Sequence, residues 1–485
     1  MKNYPRIKPV SILALLAALG ILIAGYHPGA EDDGVYLAAI KRDLNPALFP
    51  HDFDFFTVQL QATVFDKLVA GSVRLTHLPL GLVVLAWHYL SIVLVLWGCW
   101  RIARRCFSES YAQWAAVSLV AVLLTLPVAG SALYLVDQNL HPRALATAAI
   151  LAAIVATLDG RDWMTGGLLM LAVVMHPIMA SFGISLCVFL AWRPPAPRTA
   201  CFALALAPLG WIFEPTSDAW RAAAGTRDYY FLARWQWYEW LGVLAPLVFC
   251  WWFRKIGLRE DASAMAHVAS RLAACGVLQL GVALAVMVPR SLERLRPFQP
   301  MRYLHLVYLL FVLLGGGLLG QKILQRHWGR WLALFVPLAA GMFYAQRQTY
   351  PASAHLEWPE ASSRNPWAQA FRWIRDHTPT DSYFALGADY MQRPGEDYHG
   401  FRALAERSVL ADAAKDSAVA TQVPRLATRW REQVEAQRGW EQFGAADFQR
   451  LKTRFGVGWV VVERPGPADL KCPYENATVR VCRLE

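Results

Sequence analysis

Residues 26–56 read YHPGAEDDGVYLAAIKRDLNPALFPHDFDFF and follow directly on the first apolar run of the chain. The stretch places Glu31, Asp32 and Asp33 in a row at the boundary of that run, and His51 follows with further acids. Adjacent carboxylates repel one another and are costly to desolvate beside a bilayer, so the run indicates a functional task. We interpret the stretch as a polar loop that a membrane scaffold holds against other polar loops on the same side.

The composition is that of a membrane protein. Of 485 residues, 56% are hydrophobic and only 17% are charged, against about a quarter charged in a soluble protein. Apolar runs long enough to cross a bilayer recur from the N-terminus to about residue 346. The net charge of +11 does not indicate a nucleic-acid partner. The basic residues stand mostly between apolar runs, where they report orientation and anionic membrane lipid.

The apolar runs predict about eleven transmembrane helices. Basic residues precede the first run, Val10 to Tyr26, which places the N-terminus in the cytoplasm. The absence of a clear cleavage site favours an uncleaved helix over a signal peptide. Each further run is near the roughly 20 residues that a bilayer requires. Two of them are short and meet at His176 and Pro177, so a hairpin that does not fully cross is the alternative there. The other ten predicted spans are 79–100, 113–136, 142–158, 163–176, 177–192, 199–213, 238–253, 271–289, 302–320 and 331–346.

The positive-inside rule agrees with this count. From a cytoplasmic N-terminus, every short inner loop is basic and five polar segments fall outside. The large first loop, 27–78, is expected to lie along the interface as amphipathic pieces, and the aromatic-rich 214–237 loop as another interfacial piece. The prediction is an α-helical polytopic protein of the bacterial inner membrane. Its domains are a transmembrane domain, 1–349, and a periplasmic soluble domain, 350–485.

The C-terminal residues show the signals of a small α/β domain. Asn365, with proline after it, predicts the start of a helix that runs to about His377. Cys472 and Cys482 flank the last predicted hairpin, and outside the cytoplasm they are expected to form a disulfide. The segments that read as strands are 383–386, 458–463 and 477–484.

The predicted topology puts all the candidate functional polar residues on the outer side of the membrane. Glu31, Asp32 and Asp33 suit a general base on an acceptor hydroxyl, and equally a site for a divalent cation such as Mg²⁺ or Mn²⁺. A solvated turn that ends in Gly34 is the alternative without a function. His51 is equally well a surface residue, and the two histidines that precede prolines are equally well helix-end residues. The other outer candidates are Asp137, Asn139, His141, Arg143, His176, Glu214, Arg227 and Arg234.

A second cluster consists of arginines, in an outer loop where the positive-inside rule disfavours them. Guanidinium groups bind phosphate or carboxylate in a planar geometry, so an outer-leaflet lipid with a phosphate or pyrophosphate head group is the expected ligand. Simple headgroup anchoring is the alternative. No Walker A, GxGxxG, HExxH or GxSxG motif is evident, which disfavours ATP-driven and nicotinamide enzymes. The four arginines are Arg290, Arg294, Arg296 and Arg302.

The layout resembles the GT-C superfamily of integral membrane glycosyltransferases. The shared features are an inside N-terminus, a first helix running into a large outer loop with the acidic pair Asp32 and Asp33, many spans, and a C-terminal extracytoplasmic domain. That superfamily includes dolichyl-phosphate-mannose protein mannosyltransferases and bacterial aminoarabinose and arabinosyl transferases. The stretches FRWIRDHTP from Phe371, ERS from Glu406 and GWVVVE from Gly458 also resemble uncharacterised bacterial multi-pass membrane proteins.

The resemblance implies a GT-C fold and an inverting sugar transfer. The donor is then a polyprenyl-phosphate-linked sugar in the outer leaflet, and the acceptor is a periplasmic lipid, glycan or protein. Asp32 or Asp33 is the implied general base or acceptor-positioning group. A phosphate leaving group needs charge stabilisation more than protonation, which arginine supplies without requiring a metal. The candidate substrate-binding residues are Glu31, His51, His141, Arg143, His176, Arg296 and Arg302.

Two other functions stay open. A transporter or flippase would use the charged loops as gates, and it should show inverted repeats and ionisable residues at mid-membrane. No such repeat is evident, and the spans are largely free of central charge. A non-catalytic partner in cell-envelope polysaccharide assembly would instead use residues 350–485 to dock another protein.

Overall fold

The computed structural model describes residues 8–192, 214–393, 397 and 399–485. The predicted span 199–213 lies outside these residues. Up to residue 349 the described chain is mostly helical. Its helices are α1 (Pro9–Ala24), α2 (Asp33–Leu44), α3 (Asp54–Thr57), α4 (Phe65–Thr76), α5 (Leu80–Cys106), α6 (Ser110–Val122), α7 (Pro142–Leu158), α8 (Asp162–Met175), α9 (Pro177–Ala191), α10 (Asp218–Gly225), α11 (Trp237–Arg259), α12 (Ser263–Met287), α13 (Leu304–Leu319) and α14 (Trp328–Thr349).

Among the described residues, four helical segments are long and apolar enough to cross a membrane. They are α5, α11, α12 and Pro300–Leu324, which contains α13. The apolar helices α1, α6, α7, α8 and α9 have 16, 13, 17, 14 and 15 residues, fewer than the roughly 20 that cross a bilayer. Helix α14, on the predicted span 331–346, has 22 residues but is also not among the candidate spans. The predicted number of eleven spans is therefore too high: within the described residues, length and composition support four.

The predicted span 113–136 shows one reason for the difference. Helix α6 ends at Val122, and the chain then forms a short hairpin in which β1 (Pro127–Val128) pairs antiparallel with β2 (Leu133–Tyr134). Gly130 turns this hairpin with a left-handed φ of 56°, and a side chain there would collide with the ring of Trp235. An apolar run measures hydrophobicity and does not distinguish one long helix from a helix followed by a hairpin.

The residues after 350 pack around a five-stranded sheet with its own hydrophobic core. The strand order is β4-β3-β5-β7-β6; β3 runs parallel to β4 and β5, and β7 runs antiparallel to β5 and β6. The strands are β3 (Tyr383–Ala385), β4 (Ser408–Val409), β5 (Trp459–Glu463), β6 (Lys471–Glu475) and β7 (Val479–Arg483). The helices are α15 (Pro366–His377), α16 (Phe401–Ala405), α17 (Asp416–Gln422), α18 (Ala427–Ala436) and α19 (Ala445–Phe455).

The local signals in this region predicted real elements. The Asn365 side chain accepts a hydrogen bond from the Ala368 backbone N–H at 3.1 Å and caps α15, which ends at His377 as expected. Strands β3, β5 and β7 fall on the three predicted segments. Cys472 and Cys482 form a disulfide between β6 and β7.

The α2 part of the first loop packs inside the protein, which corrects the expectation of an interfacial piece there, whereas Val64, Leu75 and Leu78 around α4 stay exposed. Val35, Leu37 and Ile40 on α2 are buried, and α2 packs against α4 and α16. In the 214–237 segment, Trp220 on α10 is buried and donates its indole N–H to the Thr421 carbonyl at 2.9 Å. Both segments therefore attach the C-terminal residues to the helical scaffold.

Candidate functional site

A cavity of about 760 Å³ lies where the first loop, the hairpin, the helical scaffold and the C-terminal residues meet. Its volume is in the range of about 300 to 1,000 Å³ that small-molecule sites occupy. The wall is polar and carries both signs of charge. Its ionisable residues include Glu31, Asp32, Asp137, His141, Arg143, Arg227, Asp228, Arg234, Glu239, Arg302 and Lys415.

The adjacent aspartates enter different environments. Asp33, at the start of α2, is only 2% exposed, and its carboxylate accepts hydrogen bonds from the Gly29 backbone N–H at 2.8 Å and from the Asn139 side chain. Burial raises the pKa of Asp33 to about 7 against these hydrogen bonds. Asp32 lines the cavity, and its side chain is 40% exposed. Asp32 is therefore the member of the pair that can meet a ligand.

Two donors hold the Asp32 carboxylate. Lys415 Nζ lies 2.9 Å from Asp32 Oδ1, and His141 Nε2 lies 3.3 Å from Asp32 Oδ2. Burial favours the neutral acid, but Lys415 and His141 outweigh it and hold the pKa of Asp32 well below its usual range. The carboxylate is therefore ionised at neutral pH and is a weak base.

His141 orients Asp32 through a fixed tautomer. Its Nδ1 accepts a hydrogen bond from the Arg143 backbone N–H at 3.0 Å and so caps α7. The proton of the neutral ring is then on Nε2, which donates to Asp32. Burial and the nearby Arg143 lower the pKa of His141, which keeps the ring neutral. Because both ring nitrogens are engaged, His141 positions the carboxylate and has no free lone pair for a proton.

The hairpin side of the cavity contains a buried ion pair. Arg143 Nη2 lies 2.6 Å from Asp137 Oδ1, and Arg143 Nε lies 3.2 Å from Asp137 Oδ2. This fork geometry fixes the guanidinium plane and neutralises most of its charge. Arg143 Nη1 is buried and finds no hydrogen-bond partner among the described residues.

Two further arginines leave positive charge in the wall. Arg302 lies over the ring of Tyr229 at 5.9 Å, and it forms no ion pair within the described part of the chain. Arg227 donates from Nη2 to the Lys415 carbonyl at 3.4 Å, likewise without a carboxylate partner among the residues described. The Nε atoms of both arginines are buried and unpartnered there. Guanidinium groups in this state can bind an anionic ligand.

The structure brings most of the predicted site residues to this cavity. Glu31, Asp32, His141, Arg143 and Arg302 line it. His176 lies behind this wall: its ring stacks on that of His141 with 6.1 Å between centroids, and its Nδ1 accepts from the Met179 backbone N–H at 3.4 Å. That hydrogen bond caps α9.

Arg296 and His51 lie outside the cavity wall. Arg296 is 8% exposed and rests over the ring of Phe231 at 5.0 Å. The His51 ring stacks on Tyr383 with 4.7 Å between centroids. Asp52, beside it, is buried and paired with Arg429. The HDFD part of the first loop thus contacts the C-terminal sheet.

Lys415 is the cavity residue that sequence reasoning missed. A lysine ahead of a short helix in a soluble region is ordinarily a surface residue, and nothing local links it to the first loop. Here its ammonium lies 2.5 Å from Glu31 Oε2 as well as 2.9 Å from Asp32 Oδ1. The side chain is 13% exposed. Lys415 therefore completes the acidic side of the cavity from the C-terminal region.

Comparisons with known proteins give likeness in fold alone. No protein-family model matches the chain, and no curated protein matches it in sequence. Among solved structures, it is similar to the archaeal oligosaccharyltransferase AglB from Archaeoglobus fulgidus in complex with an inhibitory peptide and a dolichol-phosphate. The identity is 12% over 94% of this chain and 69% of that one, with a TM-score of 0.49.

Two other structures of the Archaeoglobus fulgidus oligosaccharyltransferase give similar values. The apo form has 11% identity over 96% of this chain and 70% of that one, with a TM-score of 0.46. The complex with Zn and sulfate has 12% identity over 93% and 68%, with a TM-score of 0.43. At these scores, function has to be argued from the cavity itself.

Proposed function

We propose that the chain is an inverting glycosyltransferase that moves a sugar from a polyprenyl-phosphate carrier to an acceptor on the periplasmic side of its membrane. The observation that supports this function is a cavity wall that contains the ionised Asp32 together with Arg302 and Arg227, two arginines without a carboxylate partner among the described residues. One side suits an acceptor hydroxyl, and the other suits a phosphate leaving group. A sugar fits between them in a cavity of about 760 Å³.

The position of Arg302 favours a lipid-linked phosphate over a soluble one. Arg302 is in the first turn of Pro300–Leu324, a segment that is long and apolar enough to span a membrane. An anion bound to its guanidinium therefore lies at the end of a membrane helix. The segment itself is mostly buried within the protein, so a polyprenyl chain attached to that phosphate would enter the bilayer beside the more exposed α11 and α12.

In the proposed reaction, the acceptor oxygen bonds to the anomeric carbon as the bond from that carbon to the phosphate oxygen breaks. Arg302 and Arg227 stabilise the charge that develops on the departing phosphate. Asp32 accepts a hydrogen bond from the acceptor hydroxyl and aligns it behind the anomeric carbon. The acceptor proton passes through Asp32 to solvent, because a carboxylate of low pKa does not retain it.

The remaining predicted residues take supporting roles in this proposal. Glu31 and Arg143 shape the charged wall, and His176 packs behind His141. Asp33 secures the turn before α2 and takes no part in the chemistry. Arg296 and His51 act from outside the wall, by supporting the aromatic rings that they contact. The GT-C fold, the bacterial inner membrane and a periplasmic C-terminal domain belong to the same proposal.

The acidic side does not fit a divalent metal. The described residues contain no group of three or more His, Cys, Asp or Glu side chains suited to a metal ion. The Lys415 ammonium already lies between the carboxylates of Glu31 and Asp32. The proposed reaction therefore uses no step through a metal.

The test is sugar transfer by Asp32→Asn on the purified full chain, with a panel of polyprenyl-phosphate sugars and acceptors. We expect a loss of roughly 100-fold or more, because the positioned acceptor is lost. Asp54→Asn is the matched control, since Asp54 is a half-buried acid of the same loop outside the cavity wall. Normal transfer by Asp32→Asn contradicts the assignment. If the wild-type chain transfers no sugar and instead moves such lipids across vesicle membranes, the protein is a flippase.

A further inference from the structure

The acidic side of the cavity contains a cation supplied by the chain itself. Lys415 Nζ bridges Glu31 Oε2 at 2.5 Å and Asp32 Oδ1 at 2.9 Å. The side chains of Glu31 and Asp32 are 45% and 40% exposed, whereas that of Lys415 is 13% exposed. The ammonium is thus the most buried of the three charged groups, and the other Asp32 oxygen, Oδ2, accepts from His141 Nε2 at 3.3 Å.

The backbone around Lys415 is fixed independently of the two acids. The Asp412 carboxylate accepts the Lys415 backbone N–H at 2.5 Å. The next residue, Asp416, forms a fully buried pair with Arg402, with N to O distances of 2.8 and 2.9 Å. Arg227 donates to the Lys415 carbonyl. The C-terminal core therefore fixes the backbone of Lys415, from which the side chain reaches the two acids.

We propose that Lys415 is the resident cation of this site and takes the position that a divalent cation would otherwise occupy between Glu31 and Asp32. A hard cation such as Mg²⁺ binds through carboxylate oxygens at about 2.0–2.1 Å. Here one oxygen of each carboxylate already contacts the same ammonium. Burial opposes charge on the lysine, but Asp32 and Glu31 outweigh it and raise the pKa of Lys415 above its ordinary value. The site therefore functions with a fixed charge and takes up no metal.

The inference rests on the proposed glycosyl transfer and adds a consequence to it. Removing the ammonium leaves two neighbouring carboxylates without their common counter-ion in a water-accessible cavity. Such a pair attracts a divalent cation. A lysine-free variant should therefore gain a metal site that the wild-type chain does not have.

The experiment measures Mn²⁺ binding by electron paramagnetic resonance on the purified full chain, together with sugar transfer. We expect wild type to bind no stoichiometric Mn²⁺ and to keep its transfer rate in EDTA. Lys415→Met keeps the length of the side chain and removes the charge. It should bind one Mn²⁺, lose transfer roughly 100-fold, and recover part of it when Mn²⁺ is added. Lys415→Met combined with Asp32→Asn should bind no Mn²⁺.

Lys41→Met is the matched control. Lys41 pairs with Glu406 at 2.6 Å and also joins the first loop to the C-terminal residues, but outside the cavity wall. It should gain no Mn²⁺ site and keep its EDTA-resistant transfer. Lys415→Arg, which keeps the charge, should fold with no Mn²⁺ site even where Lys415→Met does not fold.

Two results overturn the inference. One is a wild-type chain that binds one Mn²⁺ and loses it with Asp32→Asn. The other is Lys415→Met transferring at the wild-type rate. Mn²⁺ binding does not depend on turnover, so the two proposals fail separately. If wild type transfers no sugar but the expected Mn²⁺ pattern holds, the glycosyltransferase proposal fails and the assignment of Lys415 stands.

Discussion

Lys415 Nζ lies 2.9 Å from Asp32 Oδ1, although 383 residues separate the two in the chain. The contact makes the C-terminal residues part of the cavity wall. A C-terminal domain that only docked a partner would not need a lysine at the acidic pair of the first loop. Changes in either region should therefore alter the same site.

The first prediction concerns the guanidinium that faces the proposed phosphate. Arg302→Lys should raise the KM for the lipid donor roughly 10- to 100-fold, because a charge-assisted hydrogen bond contributes about 1.5–3 kcal/mol and lysine does not reproduce the fork. Initial rates at varied donor concentration measure it. Arg221→Lys is the control, since Arg221 pairs with Glu293 outside this cavity. An unchanged donor KM in Arg302→Lys would remove Arg302 from the donor site.

The second prediction separates the two aspartates by pH. In the folded state the pKa of Asp33 is raised by burial to about 7, above its unfolded value, so ionisation costs more when the chain is folded. The contribution of Asp33 to stability should therefore fall as pH rises from about 4 to about 7. Asp33→Asn keeps an oxygen for the Gly29 N–H and does not ionise.

The Tm of Asp33→Asn minus that of wild type should therefore increase by a few degrees between about pH 5 and pH 8. Asp54→Asn, with a half-buried loop acid, is the control for a general charge effect. A constant difference across that range would show that Asp33 does not titrate there. Sugar transfer by Asp33→Asn should persist, in contrast to Asp32→Asn.

The sequence predicted those elements that have local signals. Helix α15 and strand β7 were predictable because an N-cap with proline and a two-residue alternation act within a few residues. The run 113–136 was not predictable as a helix and a hairpin, because hydrophobicity alone does not register the turn at Gly130. The span count was too high for the same reason, since an apolar helix of 13 residues, such as α6, resembles a membrane span.

The site was predictable only in part. Counting spans placed the acids of the first loop and Arg302 on one side, which is why they could be considered together. Which of Asp32 and Asp33 lines the cavity was not predictable from the sequence, because the two adjacent side chains diverge only where α2 begins and one of them turns inward. Lys415 was out of reach, since its approach depends on the packing of α17 against the first loop.

The third prediction concerns the buried pair that supports Lys415. Asp416→Asn should destabilise the chain by about 3–5 kcal/mol, because it leaves the charge of Arg402 buried without its ion-pair partner. Thermal unfolding followed by circular dichroism measures it. Glu435→Gln breaks an exposed pair with Arg431 on α18 and should give no measurable shift. A similar Tm for both variants would show that burial of the Arg402 pair is not what stabilises this region.

The fourth prediction concerns a buried cluster that joins the first loop to the C-terminal residues. Glu357 Oε2 lies 3.1 Å from His27 Nδ1 and 3.0 Å from His399 Nε2. Burial alone favours the neutral acid, but both histidines lower the pKa of Glu357 to about 2. Burial likewise opposes a charged His399, but Glu357 outweighs it, with Asp397 adding and Arg372 opposing, and raises the pKa of His399.

The sign of the pH effect follows from these two shifts. The stability from ionised Glu357 is present above its unfolded pKa of about 4.5 and is lost only as pH falls toward 2, so it is constant near neutrality. The stability from protonated His399 is present below about 6.5 and is lost as pH rises through its folded pKa. Glu357→Gln should therefore lower the Tm more at about pH 6 than at about pH 9. When His399→Gln is also present, the loss of Tm caused by Glu357→Gln should no longer depend on pH. If Glu357→Gln alone lowers the Tm equally at about pH 6 and about pH 9, His399 is neutral in the folded chain.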